Sequence, residues 1–530
     1  MFLFLVLFII TDFAKCARIL AIFPAPGYSQ FILGEKLMVE LSQNGHNVTV
    51  IGPYEPKTPI ENYTTISTSG ILQQYESVNW FQFESLTFVT SIMGSHKSGL
   101  KITEYTLANP KVQELLQSGV NFDLVIVEQF FCEALFGFAK HFNAPLVVFS
   151  SIGPSEWNNN QMGNPHLPSY MPMTKLTYNS QMNFYQRIKN TAAFLFDATY
   201  KRYVTYPIHD KLLKKYFPKS MDLEDVLYNA SLMLLNSHYS ITEPFPLVPG
   251  MVEIGGFHVS NSEALPKKLE TFLDGAKDGA IYFSMGTNIK SSNLNPNLIQ
   301  DIVDMFSQLK LKVLWKFDKT IPKLPPNVLV EKWFPQNAIL GHVNTKLFIS
   351  HCGLLSTTES VYFGVPMIAI PVFGDQKMNA AKAEHFGFAL TIPYPLLSGE
   401  TLRQGISEVL SDSKYVENVK LRSRLYHDRP VKPLDLAMFW IDFTIRNKNG
   451  TTLRFAGIEL KWYQLYLLDI TAFCVLIIIA MAIVGKYVIR KFNWKRSCST
   501  LCFCYFFFFT LKASNQDEAF LSNIPSDFCV

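Results

Sequence analysis

Short apolar runs recur along the chain and are separated by segments of helical periodicity, a pattern typical of buried parallel strands connected by helices. The start of the body shows it clearly. Residues 18–23 predict a strand, 30–44 a helix that ends at Gly45, and 46–51 the next strand. This is one strand–helix–strand unit. Further strands in the same half are predicted at residues 124–127, 146–149 and 233–235.

A second series of apolar runs begins at Ile281 and repeats at residues 313–315, 328–330, 347–349 and 367–370. The two series predict an α/β protein with two doubly wound, Rossmann-like lobes that face a cleft. The join is expected between Pro244 and Gly256. We therefore expect a first lobe at residues 18–248 and a second lobe at 249–464.

Two longer apolar segments lie outside these series. Residues 1–17 predict a cleaved secretory signal peptide, although its usual basic start is absent. Residues 465–488 predict a transmembrane helix, with a buried helix of a soluble protein as the alternative. Basic residues follow at once, which places the tail 489–530 in the cytosol and the body in the lumen. Residues 497–530 are atypical and indicate either a read-through of the gene model or an alternative end of the chain.

Composition excludes some functions. The formal net charge is only +4, so a nucleic-acid partner is not expected. No Cys-x-x-Cys pair suggests a zinc site, and no Asp-x-Asp pair is present to hold a metal ion on a diphosphate. A lumenal body would make the sequons at Asn62, Asn229 and Asn449 usable for glycosylation, whereas Asn47 is expected inside a strand.

The window of residues 333–379 carries the most chemistry. An indole could stack on a base, a strand end followed by a helix start could seat phosphate, and nearby polar groups could bind ribose and sugar hydroxyls. Each residue alone has a plainer explanation, such as a capping box at 356–359 or a structural histidine. The joint order and spacing favour a nucleotide-sugar site, formed by Trp333, Gln336, His351, Gly353, Ser356, Glu359, Asp375 and Gln376.

This window closely resembles the signature of the UDP-glycosyltransferases, the UDP-glucuronosyltransferase superfamily, and looks most like insect members. The similarity extends from about residue 18 to about residue 491. In that family the loop near the donor phosphates corresponds to Ser284, Gly286 and Thr287. The resemblance implies a type B glycosyltransferase fold, with the donor in the C-terminal lobe and the acceptor in the N-terminal lobe.

The activity implied by the resemblance is inverting transfer of a hexosyl group from a UDP-sugar to small lipophilic acceptors, as in detoxification. It needs neither a metal ion nor a cofactor besides the UDP-sugar co-substrate. UDP-glucose is the favoured donor and UDP-glucuronate the second. The family's Arg-Pro near the lobe junction appears here as Glu243-Pro244, which removes one cation. The expected location is the endoplasmic reticulum membrane, in a single-pass type I orientation, and a homo-oligomer is compatible with the resemblance.

Two positions depart from the family. Gln30 occupies the position of the catalytic histidine, and its supporting acid corresponds to Glu128. Three hypotheses follow: Glu128 acts as the base, the acceptor needs no base, or the chain is a binding protein that does not catalyse. Cys352 occupies a position where the family usually has glycine, and its side chain is expected to crowd the pyrophosphate.

Overall fold

The computed structural model describes residues 16–260, 264–447 and 452–491. These residues form two compact units that divide between Ile458 and Glu459. The first unit contains two parallel β-sheets, one for each predicted lobe, with helices around them. The two-lobed α/β architecture expected from the sequence is therefore confirmed.

The first sheet has seven parallel strands in the order β3-β2-β1-β4-β5-β6-β7. The central strands β4, β5 and β6 are buried at every position, because helices cover both faces of the sheet. This is why they are unbroken apolar runs in the sequence. The strands are β1 Arg18–Ile22, β2 Asn47–Gly52, β3 Tyr63–Ser67, β4 Leu124–Glu128, β5 Leu146–Ser150, β6 Ala230–Leu235 and β7 Met251–Glu253.

The second sheet has six parallel strands in the order β10-β9-β8-β11-β12-β13. Its core is rich in aromatic rings, including the stacked pairs Phe283–Trp315 and Tyr282–Phe348. The strands are β8 Ala280–Ser284, β9 Lys312–Lys316, β10 Val328–Glu331, β11 Thr345–Ser350, β12 Met367–Ala369 and β13 Ala389–Thr391.

Helices pack on both faces of each sheet. Those of the first lobe are α1 Tyr28–Gln43, α2 Gln73–Glu76, α3 Phe88–Leu107, α4 Pro110–Gln117, α5 Gly137–His141, α6 Phe184–Tyr200, α7 Tyr206–Tyr216 and α8 Glu224–Leu227. Those that follow in the same unit are α9 Lys267–Asp274, α10 Pro296–Ser307, α11 Gln336–Leu340, α12 Leu354–Phe363, α13 Gln376–His385, α14 Gly399–Ser411, α15 Ser413–His427 and α16 Pro433–Arg446.

Each sheet has one point where the strand order reverses. In the first sheet it lies between β1 and β4, and in the second between β8 and β11. Loops at the carboxyl ends of such neighbouring strands diverge and leave a crevice, which is where open α/β sheets bind ligands. Gln30 lies just after β1, and Glu128 is the last residue of β4. The residues predicted to bind phosphate follow β8 and β11.

The lobe boundaries differ from those expected. Strand β7 lies within the range predicted for the join but pairs with β6, so the first sheet continues past the expected boundary at residue 248. Helix α16, predicted in the second lobe, packs on the first: Ala437 and Ile441 belong to the core cluster of its sheet, and Asp442 lies 3.3 Å from His46. The closing helix therefore returns to the first lobe, and residues 249–464 are not one structural lobe.

The predicted end of the leader at residue 17 also differs from the structure. Ala17 is buried, its N–H donates to His46 Nδ1 at 3.3 Å, and its carbonyl accepts from Asn47 at 2.9 Å. Cys16 is exposed. Ala17 is thus part of the folded body. The rest of the predicted signal peptide, residues 1–15, lies outside the described residues.

The second unit contains α17 Trp462–Leu465 and α18 Leu468–Lys491. Residues Leu468–Val488 are long and apolar enough to cross a membrane, with a mean hydropathy of 2.6 and none of the helix buried. This supports the predicted span at 465–488 and disfavours a buried helix. The atypical tail 497–530 lies outside the described residues. Asn62, Asn229 and Asn47 are exposed, so Asn47 is accessible despite starting β2, and Asn449 is outside the described residues.

Candidate active site

The phosphate seat predicted after β11 is a helix N-terminus. Helix α12 begins at Leu354 with Gly353 as its N-cap, two residues before the predicted start at Ser356. No side chain caps it, so its first N–H groups are not used by a capping residue. Ser356 lies inside the helix, which excludes the alternative of a capping box at 356–359. An uncapped N-terminus of this length is suited to an anion because its N–H groups and dipole are positive.

His351 lies between two glycines whose missing side chains make room for its ring. A Cβ on Gly286 would be 2.5 Å from His351 Cε1, and a Cβ on Gly353 would be 2.6 Å from Nε2. Gly286 has a φ of 80°, which also favours glycine. Burial, together with the charge of Lys316, lowers the pKa of His351 to about 4. The ring is therefore a neutral hydrogen-bonding group near pH 7, and not the cation that its type allows.

Lys316, at the end of β9, supplies the positive charge, and the sequence did not predict it. Its Nζ donates to the carbonyl of Gly286 at 2.9 Å and lies 4.3 Å from the centroid of the Trp333 ring. Burial lowers the pKa of Lys316 to about 8, against the opposing effect of Glu359, so the amine still carries its proton near neutral pH. The strand predicted from the apolar residues 313–315 ended at Trp315, one residue before Lys316, so the lysine was not considered as a site residue.

Trp333 is 56% exposed, which excludes the interpretation of this residue as core. One face of the indole lies under Lys316, and the ring meets Tyr28 of the first lobe edge-on at 6.1 Å. The indole is therefore available in the cleft as an aromatic surface for a base. It lies beside the predicted phosphate residues, as the sequence implied.

The residues expected to hold ribose are brought together. Gln336 is hydrogen-bonded through Nε2 to a carboxylate oxygen of Glu359, and its Nε2 is 3.4 Å from Ser356 Oγ. This side-chain pair links α11 to α12. The two hydroxyl groups of a ribose would replace the bond between these side chains with hydrogen bonds to each of them. Ser284 is buried and its hydroxyl accepts from the Gly286 N–H at 3.3 Å, so it shapes the loop. Thr287 is exposed on the same loop.

Asp375 and Gln376 have different environments. Asp375 is half-buried and accepts from Asn379 Nδ2 at 2.8 Å. Gln376 is buried, and its Oε1 accepts from the N–H groups of Val372 and Phe373 at 2.9 and 3.1 Å. Gln376 therefore braces the turn before α13, and its amide nitrogen is the part left to meet a sugar hydroxyl.

On the first lobe, Gln30 Nε2 donates to Glu128 Oε1 at 3.0 Å, although the residues are far apart in sequence. Burial raises the pKa of Glu128 to about 8; the Gln30 amide, the Ala25 N–H and the Ser151 hydroxyl lower it less. Glu128 Oε2 has no well-aligned hydrogen bond among the described residues. The pair lies near the second lobe, since a Cβ on Gly27 would be 3.7 Å from Asn288 Nδ2.

Cys352 does not crowd the phosphate seat as the sequence suggested. Its side chain is fully buried in the core cluster of the second lobe, with Sγ 3.4 Å from Thr357 Oγ1. The backbone explains why glycine suits the position: φ is 60°, in the left-handed region that L-residues disfavour. Cysteine in place of glycine at position 352 therefore strains the backbone but does not block the N-terminus of α12.

A cleft between the lobes lies next to Asp375 and encloses about 480 Å³ not filled by protein atoms, partly continuous with solvent. Its first-lobe wall comes from residues 152–174 and 242–245. The lining is Ile152, Gly153, Pro154, His166, Met171, Pro172, Thr174, Thr242 and Phe245 from the first lobe, with Leu354, Asp375, Met378, Asn379 and Lys382 from the second. No cluster of metal-ligating side chains occurs in residues 16–260, 264–447 or 452–491.

Two Rossmann-like lobes with an anion seat on one side of a cleft and a buried acid on the other define a nucleotide-sugar-dependent glycosyltransferase of type B. A family model described as UDP-glucoronosyl and UDP-glucosyl transferase matches residues 19–500. The chain belongs to this family of enzymes. It is 36% identical to UDP-glucosyltransferase 2 of Dactylopius coccus, over 89% of this chain and 93% of that one. It is 30% identical to human UDP-glucuronosyltransferase 2B7, over 93% and 94%.

Solved structures show the same fold at low sequence identity. CalG4, the calicheamicin glycosyltransferase, aligns with a TM-score of 0.57 and 16% identity, over 82% of this chain and 99% of that one. Phytolacca americana UGT2, complexed with UDP-2-fluoro-glucose and pterostilbene, aligns with a TM-score of 0.55 and 14% identity, over 81% and 100%.

Proposed function

We propose that this enzyme transfers a hexosyl group from a UDP-sugar to the oxygen of a small lipophilic acceptor, with inversion at the anomeric carbon. The observation that carries the proposal is the uncapped N-terminus of α12, with His351 and Lys316 beside it. This seat has the charge and hydrogen-bond donors that a diphosphate leaving group requires. Glu128, across the cleft on the first lobe, serves the attacking group.

The chemistry separates into two charge movements. The acceptor oxygen attacks the anomeric carbon as the bond between that carbon and the UDP oxygen breaks. The acceptor proton passes to the ionised carboxylate of Glu128, the form that predominates above its pKa of about 8. Charge on the departing diphosphate is stabilised by Lys316, the neutral His351 ring and the N–H groups at the start of α12. These donors are already in place before reaction, so little reorganisation is needed. No metal ion or further cofactor takes part in this proposal.

UDP-glucose is the preferred donor in this proposal, and UDP-glucuronate the second. Lys382 is the cation in the cleft wall beside Asp375. Burial lowers the pKa of Lys382, and Glu243, Asp375 and Glu156 act in the opposite sense, so carboxylates already surround this charge. A sugar carboxylate would compete with them, whereas a neutral hydroxymethyl group would not. The similarity to a relative named UDP-glucosyltransferase 2 points the same way.

The setting we propose is the endoplasmic reticulum membrane, with the body in the lumen, residues 489–530 in the cytosol and glycans on accessible sequons. The apolar helix α18 and the basic residues after it support this orientation. A detoxification role follows from the apolar share of the cleft wall, which suits lipophilic acceptors. Self-association is a further expectation.

The test is UDP release by the purified full chain, with UDP-glucose and UDP-glucuronate each crossed with phenols, alcohols and amines, in the presence of EDTA. The proposal predicts steady UDP release with a phenol or alcohol, faster from UDP-glucose. A requirement for magnesium or manganese, or failure to bind UDP by calorimetry, would overturn it. Inversion is read from the anomeric configuration of the product by NMR.

A second function is favoured by one observation, the presence of Gln30 where the family has its catalytic histidine. An amide cannot accept a proton near neutral pH, so the chain could bind a UDP-sugar and a lipophilic ligand without joining them. Calorimetry separates the two: binding of UDP and of acceptors without UDP release identifies a binding protein. Sustained turnover excludes it.

A further inference from the structure

Helix α6 of the first lobe has its polar and apolar sides reversed. Its buried residues are Asn190, Ala193 and Asp197. Four of its large apolar residues face outward: Phe184 is 71% exposed, Tyr185 63%, Ile188 49% and Leu195 58%. These four residues, here called the outer α6 face, form one helical stripe. A helix of a water-exposed body has the opposite arrangement, so water is not the natural surrounding of this side.

The reversal is fixed by hydrogen bonds. Asn190 donates to the carbonyls of Pro168 and Met171 at 2.8 Å and accepts from the Met173 N–H at 2.8 Å. Asp197 is 3.0 Å from His96 Nε2 and 2.9 Å from Lys201 Nζ. Although burial opposes ionisation, Lys201 and His96 lower the pKa of Asp197 to about 2. Rotating α6 to bury its apolar side would break these hydrogen bonds and leave a buried charge without a partner.

The exposed apolar surface extends beyond α6. Tyr203, in the π-helical turn that follows, is 77% exposed, and Val89 and Met93 of α3 are also exposed. Phe88 and Phe196 meet with ring centroids 6.5 Å apart, which brings α3 beside α6. Patches of this kind mark contact with another apolar surface.

Cations accompany this surface. Lys189 Nζ is 4.5 Å from the Tyr185 ring centroid, and the Arg187 guanidinium is 6.0 Å from that of Phe184. Neither cation forms an ion pair with an acid in the described ranges 16–260, 264–447 and 452–491. Aromatic and aliphatic side chains flanked by unpaired basic residues suit the headgroup layer of a bilayer.

We propose that the outer α6 face lies against the lipid surface of the membrane that carries the chain. A lipid surface is favoured over a second copy because the outer α6 face combines an apolar stripe with positively charged side chains. Acidic lipid headgroups would complement this positive charge, whereas the same face of a second copy would repel it. The proposal does not depend on the donor or the acceptor.

The consequence concerns the cleft. The inner side of α6 holds the loop that supplies Met171 and Pro172 to the cleft wall. Lipid contact at the outer face would therefore hold the acceptor side of the cleft near the bilayer, where lipophilic compounds concentrate. A single helix would serve as membrane contact on one side and as support for the cleft on the other.

The test is site-specific photocrosslinking of the full chain in nanodiscs of phosphatidylcholine with phosphatidylserine. The photoreactive amino acid p-benzoylphenylalanine is placed at the position of Ile188 or Leu195. The control position is Val343 on the second lobe, which is 80% exposed. All three side chains are already exposed, so folding is preserved. The proposal predicts several-fold more lipid adduct, by mass spectrometry, at the two α6 positions than at the control.

Equal lipid adduct at all three positions would overturn the proposal. A crosslinked dimer at the α6 positions, without lipid adduct, would identify a second copy as the occupant and also overturn it. Omitting phosphatidylserine should reduce the adduct, because Arg187 and Lys189 would lose their acidic partners.

Discussion

The two halves of the active site are built at equivalent places in their sheets and yet differ in how they handle charge. The second lobe positions Lys316, the neutral ring of His351 and an uncapped helix N-terminus for a negatively charged group. The first lobe buries one acid, Glu128, and gives it an amide partner, Gln30. One half is preorganised to stabilise charge; the other holds a carboxyl group that burial keeps protonated near pH 7.

In the proposed mechanism, this difference indicates which half limits the rate. Donor binding needs only groups that are already in their working form. Activation of the acceptor needs Glu128 to lose a proton first, and Gln30 cannot replace it as a base. Substitutions in the two halves should therefore differ in their effects on UDP affinity and on the pH dependence of the rate, which makes the comparison testable.

The largest effect is expected for Glu128→Gln. Without a group to accept the proton, kcat for an alcohol acceptor should fall by about 10²–10⁴-fold. The amide resembles the protonated carboxyl group in shape and charge, so the melting temperature should stay close to that of the unsubstituted enzyme. UDP affinity, measured by calorimetry, should also be unchanged. Unaltered turnover would mean that the acceptor needs no base, and the contrast between the halves would disappear.

The pH profile gives the next largest effect. The ordinary pKa of a glutamic acid, 4.5, is raised by burial to about 8 in Glu128. Below that pH, kcat/KM should fall by about tenfold per pH unit as the base is lost. Stability should change in the opposite direction: the folded state keeps the proton between pH 4.5 and 8, so this contribution weakens as pH rises through that range. A flat rate profile from pH 6 to 9 would contradict the assignment.

A smaller effect, confined to the donor half, is expected for Lys316→Met. Loss of a charged hydrogen-bond donor to the diphosphate should lower kcat/KM for the UDP-sugar by about 10- to 100-fold, because Lys316 both binds the diphosphate and stabilises the charge that it gains. The pH dependence attributed to Glu128 should be unchanged.

Strand β9 provides a matched control for this substitution. Lys312 donates to the carbonyl of Phe272 at 2.9 Å and lies 4.7 Å from the centroid of its ring, an environment similar to that of Lys316 but away from the cleft. Lys312→Met should therefore leave kcat/KM unchanged. Equal effects of the two substitutions would show that the strand needs a lysine for structural reasons and that Lys316 has no part in donor binding.

The sequence could point to the donor half as one site because most of its predicted residues, from Trp333 to Gln376, lie on or beside consecutive elements, α11, β11, α12, β12 and α13, so that linear order becomes spatial order. Lys316 was missed because β9 reaches the site through sheet order, two strands from β11. The Gln30–Glu128 contact joins residues 98 positions apart, and only family resemblance brought them together. Backbone φ at Cys352 and the reversed α6 have no signal in hydrophobic patterning, since both depend on tertiary packing.

Gln30→His would bring the first lobe closer to the family pattern and should sharpen the comparison with the second. An imidazole at this position could accept a proton near neutral pH, with the Glu128 carboxylate to orient it. We expect kcat for alcohols to rise by about tenfold, short of the full contribution of a general base because the surroundings evolved with an amide. Gln30→Met is the control. A fall in kcat with histidine would show that the Gln30 amide positions the acceptor.

The smallest effect is expected for Cys352→Gly, which tests whether this departure in the second lobe matters. Glycine would relieve the strain of a φ of 60°, worth about 1–2 kcal/mol. The substitution would also remove a buried side chain in contact with Thr357, which costs a similar amount. These opposing terms should leave the unfolding free energy within about 1 kcal/mol of its original value. Because Sγ points into the core, UDP affinity should not change, and a large gain in affinity would show that the side chain does obstruct the phosphate seat.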